Sequence, residues 1–173
     1  RPDISVTPGN AIGQLVGTFT LQADENDPQP ANNAVAVGTS ILGGPFSFVV
    51  TNTNDSGAGS LRQAILNANA SVGADVISFA IPGTGVQTIT LASTLPSITD
   101  RVSMSGASQP GYTGAPIIEL NGNGLPALGL FITGGNTTVR GLVINRFGEV
   151  GIYILTGSGN VIEGNFIGID IAG

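Results

Sequence analysis

The sequence predicts an all-β chain: a parallel β-helix with an N-terminal capping helix, preceded by a short β arm or sandwich remnant. Three observations predict it. The stretch Ser47–Ala70 reads as one strand, one glycine turn and the only credible helix. The residues after it fall into short, β-branched runs separated by glycine turns. Two of those runs repeat each other at one constant offset: Val139-Arg140-Gly141-Leu142-Val143-Ile144-Asn145 returns as Ile162-Glu163-Gly164-Asn165-Phe166-Ile167-Gly168. A helix ahead of stacked short strands is how a solenoid closes one end.

The chain begins with three β-patterned runs within residues 1–41: ISVTP, LVGTFTLQA and AVAVGTS. Three short strands are too few for an independent sheet with its own core. Asp24, Glu25 and Asp27 make an acidic turn between the last two runs. Hard oxygens of this kind suit Ca²⁺, but no known calcium-loop spacing surrounds them, and a solvated loop is the preferred reading. Residues 42–45 read as a linker, with Gly-Gly-Pro at 43–45 as the joint.

The helix follows. Ser60 and Gln63 are spaced as a capping box, the hydroxyl accepting from the third helical N–H and the glutamine reaching back. Leu61, Ala64, Ile65 and Ala68 recur at i, i+3, i+4 and i+7, which gives one apolar face. About three turns of helix cannot stand alone in water, so that face must lie on β structure. Arg62 reads as the most exposed feature of the helix, poised to pair with Asp55 or Asp75 and lock the cap. Asn54–Gly59 ahead of it needs only Asx-turn chemistry, not a metal.

Beyond the helix, a β pattern at Ile117–Asn121 falls about one coil before the repeat. Asn136 and Asn160 are separated by nearly the repeat interval, which places them to stack their amides in a ladder. Gly141 and Gly164 mark a bend that needs no Cβ. If Ile144, Ile152, Ile154 and Ile167 point inward, Val143, Phe166, Tyr153 and Leu155 form an outer apolar stripe; the opposite register buries them. The last residues, NFIGIDIAG, read as an ordinary rung without a polar cap, Asp170 being a turn residue. The expectation is a window on a longer polypeptide, or subunits that complete one another, with the arm 4–39 adding strands to a neighbour.

Composition narrows the function. Charged residues are 9% of the chain, against about 25% in ordinary domains, while 41% are hydrophobic, too apolar for disorder. The absence of cysteine, histidine and lysine removes disulfides, imidazole or thiolate zinc sites, histidine-based triads and Schiff bases. A net charge of −6 disfavours nucleic acid. No apolar run reaches the length of a membrane span. Glu119, Arg140 and Glu163 fall near one column, each about one coil from the next. Two carboxylates flanking an arginine could act on a glycosidic bond, but an exposed ion-pair ladder is the preferred reading. The sequons at Asn54, Asn69 and Asn136 are of a kind frequent by chance. No catalytic, cofactor-binding or metal residue is therefore assigned, and no cofactor is expected.

Two resemblances add to this reading. TFTLQADENDPQPANNAVAVGTS resembles the closing strands of a repeated immunoglobulin-like domain of bacterial surface proteins. SFVVTNTNDSGAGSLRQAILNANA, with ADVISFAIPGTGVQTITLASTLPSITDRVSMSG and PIIELNGNG, resembles a CSLREA-type domain, the N-terminal capping region of right-handed parallel β-helices on bacterial surfaces. Gly59 stands where that motif has Cys, and Gln63 where it has Glu. The resemblance covers 46–173 and implies a right-handed, capped β-helix. The expected function is a non-enzymatic, extracellular structural repeat protein: a surface stalk, adhesin or filament subunit. Its expected partners are copies of itself or neighbouring domains end to end, and surface glycans. The alternatives are a polysaccharide-active lyase or glycosidase, and a carbohydrate-binding module.

Overall fold

A computed structural model describes residues 14–20, 34–40 and 45–172. The chain divides into two compact units, 1–43 and 44–173. In the first, β1 (Gln14–Thr20) and β2 (Ala34–Ser40) pair antiparallel, with Gln14 opposite Ser40 and Thr20 opposite Ala34. These are two of the three expected strands. The run at 4–8, the acidic turn of Asp24, Glu25 and Asp27, and linker residues 42–44 lie outside the described residues.

The second unit opens with β3 (Ser47–Val50) and α1 (Leu61–Ala70). The short segment between them turns the chain because Thr51 and Asn52 both donate their N–H to the Gly59 carbonyl. Ser60 starts the helix, its Oγ accepting from the Gln63 N–H at 3.2 Å. The capping box is only half made: Gln63 Nε2 donates one turn on, to Asn67 Oδ1 at 2.8 Å, instead of reaching back. Leu61, Ala64, Ile65 and Ala68 are buried, as their spacing requires.

Strands then follow in short order: β4 (Asp75–Phe79), β5 (Gln87–Thr90), β6 (Val102–Ser105), β7 (Ile118–Asn121), β8 (Leu130–Ile132), β9 (Thr138–Arg140), β10 (Leu142–Asn145), β11 (Ile152–Ile154), β12 (Val161–Glu163) and β13 (Phe166–Ile167). They form three parallel sheets, ordered β12-β9-β6-β4-β3, β13-β10-β7-β5 and β11-β8. Each tier of chain contributes strands to different sheets and pairs with the tier before it. The sequence repeat is a pairing register: Val139 lies beside Ile162, Arg140 beside Glu163, and Ile144 beside Ile167. Alternation sends Ile77, Phe79, Ile89, Met104, Leu120, Ile132, Val139 and Ile144 into one core, which the helix face joins.

The expected all-β, right-handed parallel β-helix is corrected by this architecture. Among the described residues the strands of the second unit form parallel sheets of five, four and two strands, and the first unit holds an antiparallel pair of its own. The helix is not a lid on a uniform β stack. Its buried side chains are part of the core cluster itself. The result is an α/β-like arrangement, because α1 packs its apolar face on β3 and β4 and shares one core with the three parallel sheets.

Two glycines make the bend between sheets. Gly141 and Gly164 take φ of 68° and 60°, a left-handed conformation that costs glycine little. A Cβ on Gly141 would also stand 3.0 Å from the Ala107 nitrogen.

Candidate functional site

The charged column expected from the sequence is split. Arg140 and Glu163 are register partners on β9 and β12, with Ser105 beside Arg140 on the preceding tier. Arg140 Nε donates to Ser105 Oγ at 3.0 Å. Glu119 lies on β7, in another sheet, beside Thr88 and Val143. The expected ion-pair ladder is not formed: among the described residues the ion pair is Arg62–Asp55. Arg140, Glu163 and Tyr112 line an open cleft of about 380 Å³.

Glu119 is held rather than free. Its Oε2 accepts from Thr88 Oγ1 at 2.7 Å and its Oε1 from Asn145 Nδ2 at 2.8 Å. Asn145 Nδ2 also donates to the Ile169 carbonyl at 3.2 Å, tying the last tier to this pair. A carboxylate with both oxygens so engaged is a tether between tiers.

Arg62 is largely buried rather than exposed, with 15% of its side-chain surface open to solvent. It takes the first of its two expected partners. Nη2 donates to Asp55 Oδ1 and to the Ser93 carbonyl, both at 2.8 Å, Nε to the Asp55 carbonyl at 3.0 Å, and Nη1 to the Thr94 carbonyl at 2.6 Å. The guanidinium thus fastens α1 to the turn before it and to the segment after β5. Burial opposes ionisation of Asp55. The Ala92 N–H, the Arg62 side chain and its charge, and the Ser93 N–H outweigh it and hold the carboxyl below its ordinary range.

Sequence reasoning missed the amide ties. Gln109 Oε1 accepts from the Ile81 N–H at 2.9 Å, while its Nε2 donates to the Ile81 carbonyl at 2.7 Å. Asn165 does the same across one tier, taking the Leu142 N–H and giving to the Val139 carbonyl. Asn69 joins α1 to the carbonyl of Ser97 and the N–H of Thr99. Each amide stands in for a strand neighbour where the ladder is interrupted. The available signal is an Asn or Gln just outside a strand, one tier from a break. Asn160 belongs here too. Its Oδ1 accepts from the Thr137 N–H at 2.9 Å, which replaces the expected amide ladder with Asn136.

The expected outer stripe is partly formed. Tyr153 and Leu155 are exposed, and Tyr153 stacks on Phe131 with ring centres 5.5 Å apart. Val143 is fully buried instead, and Ile154 and Ile167, expected inside, are exposed. Asp170 is a turn residue, its Oδ1 accepting from the Ala172 N–H. No helix among the described residues is long and apolar enough to cross a membrane, and none of their Asp and Glu residues gather in threes that could hold a metal.

Asp75, the second expected partner of Arg62, takes no part in that clasp. It is 1% exposed, on the inward side of β4 with Ile77 and Phe79. No family model, curated protein or solved structure matches the chain.

Proposed function

We propose that the protein is a structural, non-enzymatic module of an extracellular surface protein, and that it joins a neighbouring module or a second copy through its last tier. The observation that carries this reading is the state of β11, β12 and β13. Each is the outermost strand of its sheet, and they expose Ile154, Val161 and Ile167 together with Tyr153 and the adjoining Leu155. Edge strands with exposed aliphatic side chains are templates for another strand. The use of polar side chains supports the same reading. Glu119, Arg62, Gln109 and Asn165 hold tiers together, the work of a rigid scaffold. The resemblance of 46–173 to surface-protein capping regions supports a location outside the cell.

Light scattering tests it. The chain is expected to associate as its concentration rises, and the double change Ile154→Lys and Ile167→Lys to keep it monomeric. A wild-type chain that stays monomeric throughout would overturn the reading.

The Arg140–Glu163–Tyr112 cleft favours carbohydrate as a second reading, since a carboxylate, a guanidinium and an aromatic ring meet there. A reducing-sugar assay and a glycan array separate the two. Cleavage of pectin, alginate or a β-glucan, lost in Glu163→Gln, would make the cleft an active site. Binding without cleavage would make it a carbohydrate-binding surface.

A further inference from the structure

Asp75 occupies a position its neighbours give to apolar side chains. It lies beside Val102 of β6 on the inner face. One carboxyl oxygen, Oδ1, accepts from the Phe46 N–H at 3.2 Å and from Ser71 Oγ at 3.3 Å. The other, Oδ2, is buried and has no partner among the described residues. The three groups belong to three places: the residue before β3, the C-terminal cap of α1, and the start of β4. One carboxyl therefore fastens the ends of three elements.

An ionised carboxylate with an unpartnered buried oxygen is costly, and a proton on that oxygen removes the charge. Among the described residues no cation replaces it. The charged residues of the adjoining segment are Asp100 and Arg101. Arg101 meets Asp75 through its backbone carbonyl, which accepts the Asp75 N–H at 3.0 Å. The Asp100 carboxylate is turned to the Gly73 and Arg101 N–H groups. The last turn of α1 carries no basic residue, and β3 has no charged one.

We infer that Asp75 is a pH-operated latch. Neutral, it clamps β3, the end of α1 and β4 together; ionised, it places an unpaired charge among them and loosens the junction. Burial pushes this carboxyl above its ordinary range, the Phe46 and Ser71 hydrogen bonds partly offset that, and the Asp100 charge adds to it. A raised folded-state value means the folded chain holds the proton more tightly than the unfolded one. The stabilisation is complete below the ordinary value of 3.8 and is lost as pH rises through the raised value.

The test is a set of thermal melts from about pH 7.5 to about pH 4.5, across the upper part of carboxyl titration. The wild-type melting temperature is expected to rise by a few degrees on acidification. Asp75→Asn keeps the shape and removes the charge, so it should melt higher than wild type at neutral pH and lose the acid-side rise. Asp100→Asn should shift the wild-type rise to lower pH. Carboxyl carbon NMR of the wild-type chain reads the Asp75 titration directly, whatever the variants do. Backbone exchange at 46–50 and 68–75, corrected for its intrinsic pH dependence, should slow as that carbon takes up its proton. An Asp75 titration at or below the ordinary range, or an Asp75→Asn variant with the wild-type pH slope, would overturn the latch.

Discussion

Arg62 shows how much one side chain can fix. Its guanidinium makes four hydrogen bonds to Asp55, Ser93 and Thr94, and Asp55 Oδ1 also takes the Ala92 N–H at 2.9 Å. Arg62→Ala should therefore cost about 1–2 kcal/mol, more than a typical exposed ion pair, in a urea melt at neutral pH. The pH sense follows from Asp55. Its folded-state value is lowered, so its contribution is present above the ordinary 3.8 and is lost as pH falls through the lower value. Asp55→Asn is expected to flatten the acid limb of the stability curve, read as melting temperature below about pH 4. The pairing is legible in the sequence because Asp55 and Arg62 are near neighbours along the chain. The reach of Arg62 to Ser93 and Thr94 is not, since it depends on which tier packs beside the helix. Glu119 departs from its expected column for a similar reason. Counting from Glu119 to Arg140 as one coil ignores the bend at Gly141, and the true neighbour of Glu119 is Val143, after the bend.

At the scale of elements, α1 is held by its face more than by its cap. Ile65 is fully buried in the core cluster. Ile65→Ala should cost roughly 2–4 kcal/mol, and Ser60→Ala about 1 kcal/mol. Denaturant titration of both variants checks the ranking; equal losses would mean that the cap governs the helix. The apolar face of this helix is plain from its spacing, because periodicity is a local property. The direction of Gln63 is not, because Asn67 competes for it from one turn away. The bend between β9 and β10 gives a second expectation. Gly141→Ala should destabilise by about 1 kcal/mol or more, from a left-handed φ and from the approach to Ala107; the same denaturant titration reads it.

Over the second unit as a whole, burial is graded. Strands β4, β6, β7 and β10 carry fully buried side chains, whereas β11, β12 and β13 carry none. Amide exchange should follow the same gradient, slowest in β6, β7 and β10 and fast across 152–167. Uniform protection through the last tier would mean that it is covered in solution. The register of the last two tiers is readable because the chain repeats itself there. The division into three sheets is not. It depends on how turns of unequal length between tiers align, and no periodicity records that.

The parallel register also sets how the chain finds its fold. The loop closed when Leu130 meets Ile152 is short, and the one closed when Ser103 meets Thr138 is longer. Every strand pairing in the second unit joins neighbouring tiers. The entropy of closing each loop changes little over that range, since it grows only with the logarithm of length. No single closure is a dominant obstacle, and each tier formed is a template for the next. Folding of this unit is then a zipper that starts where the first template is best supported. That place is β3 and β4 with α1 against them. Substitutions there should slow refolding, whereas substitutions in β11 to β13 should chiefly hasten unfolding.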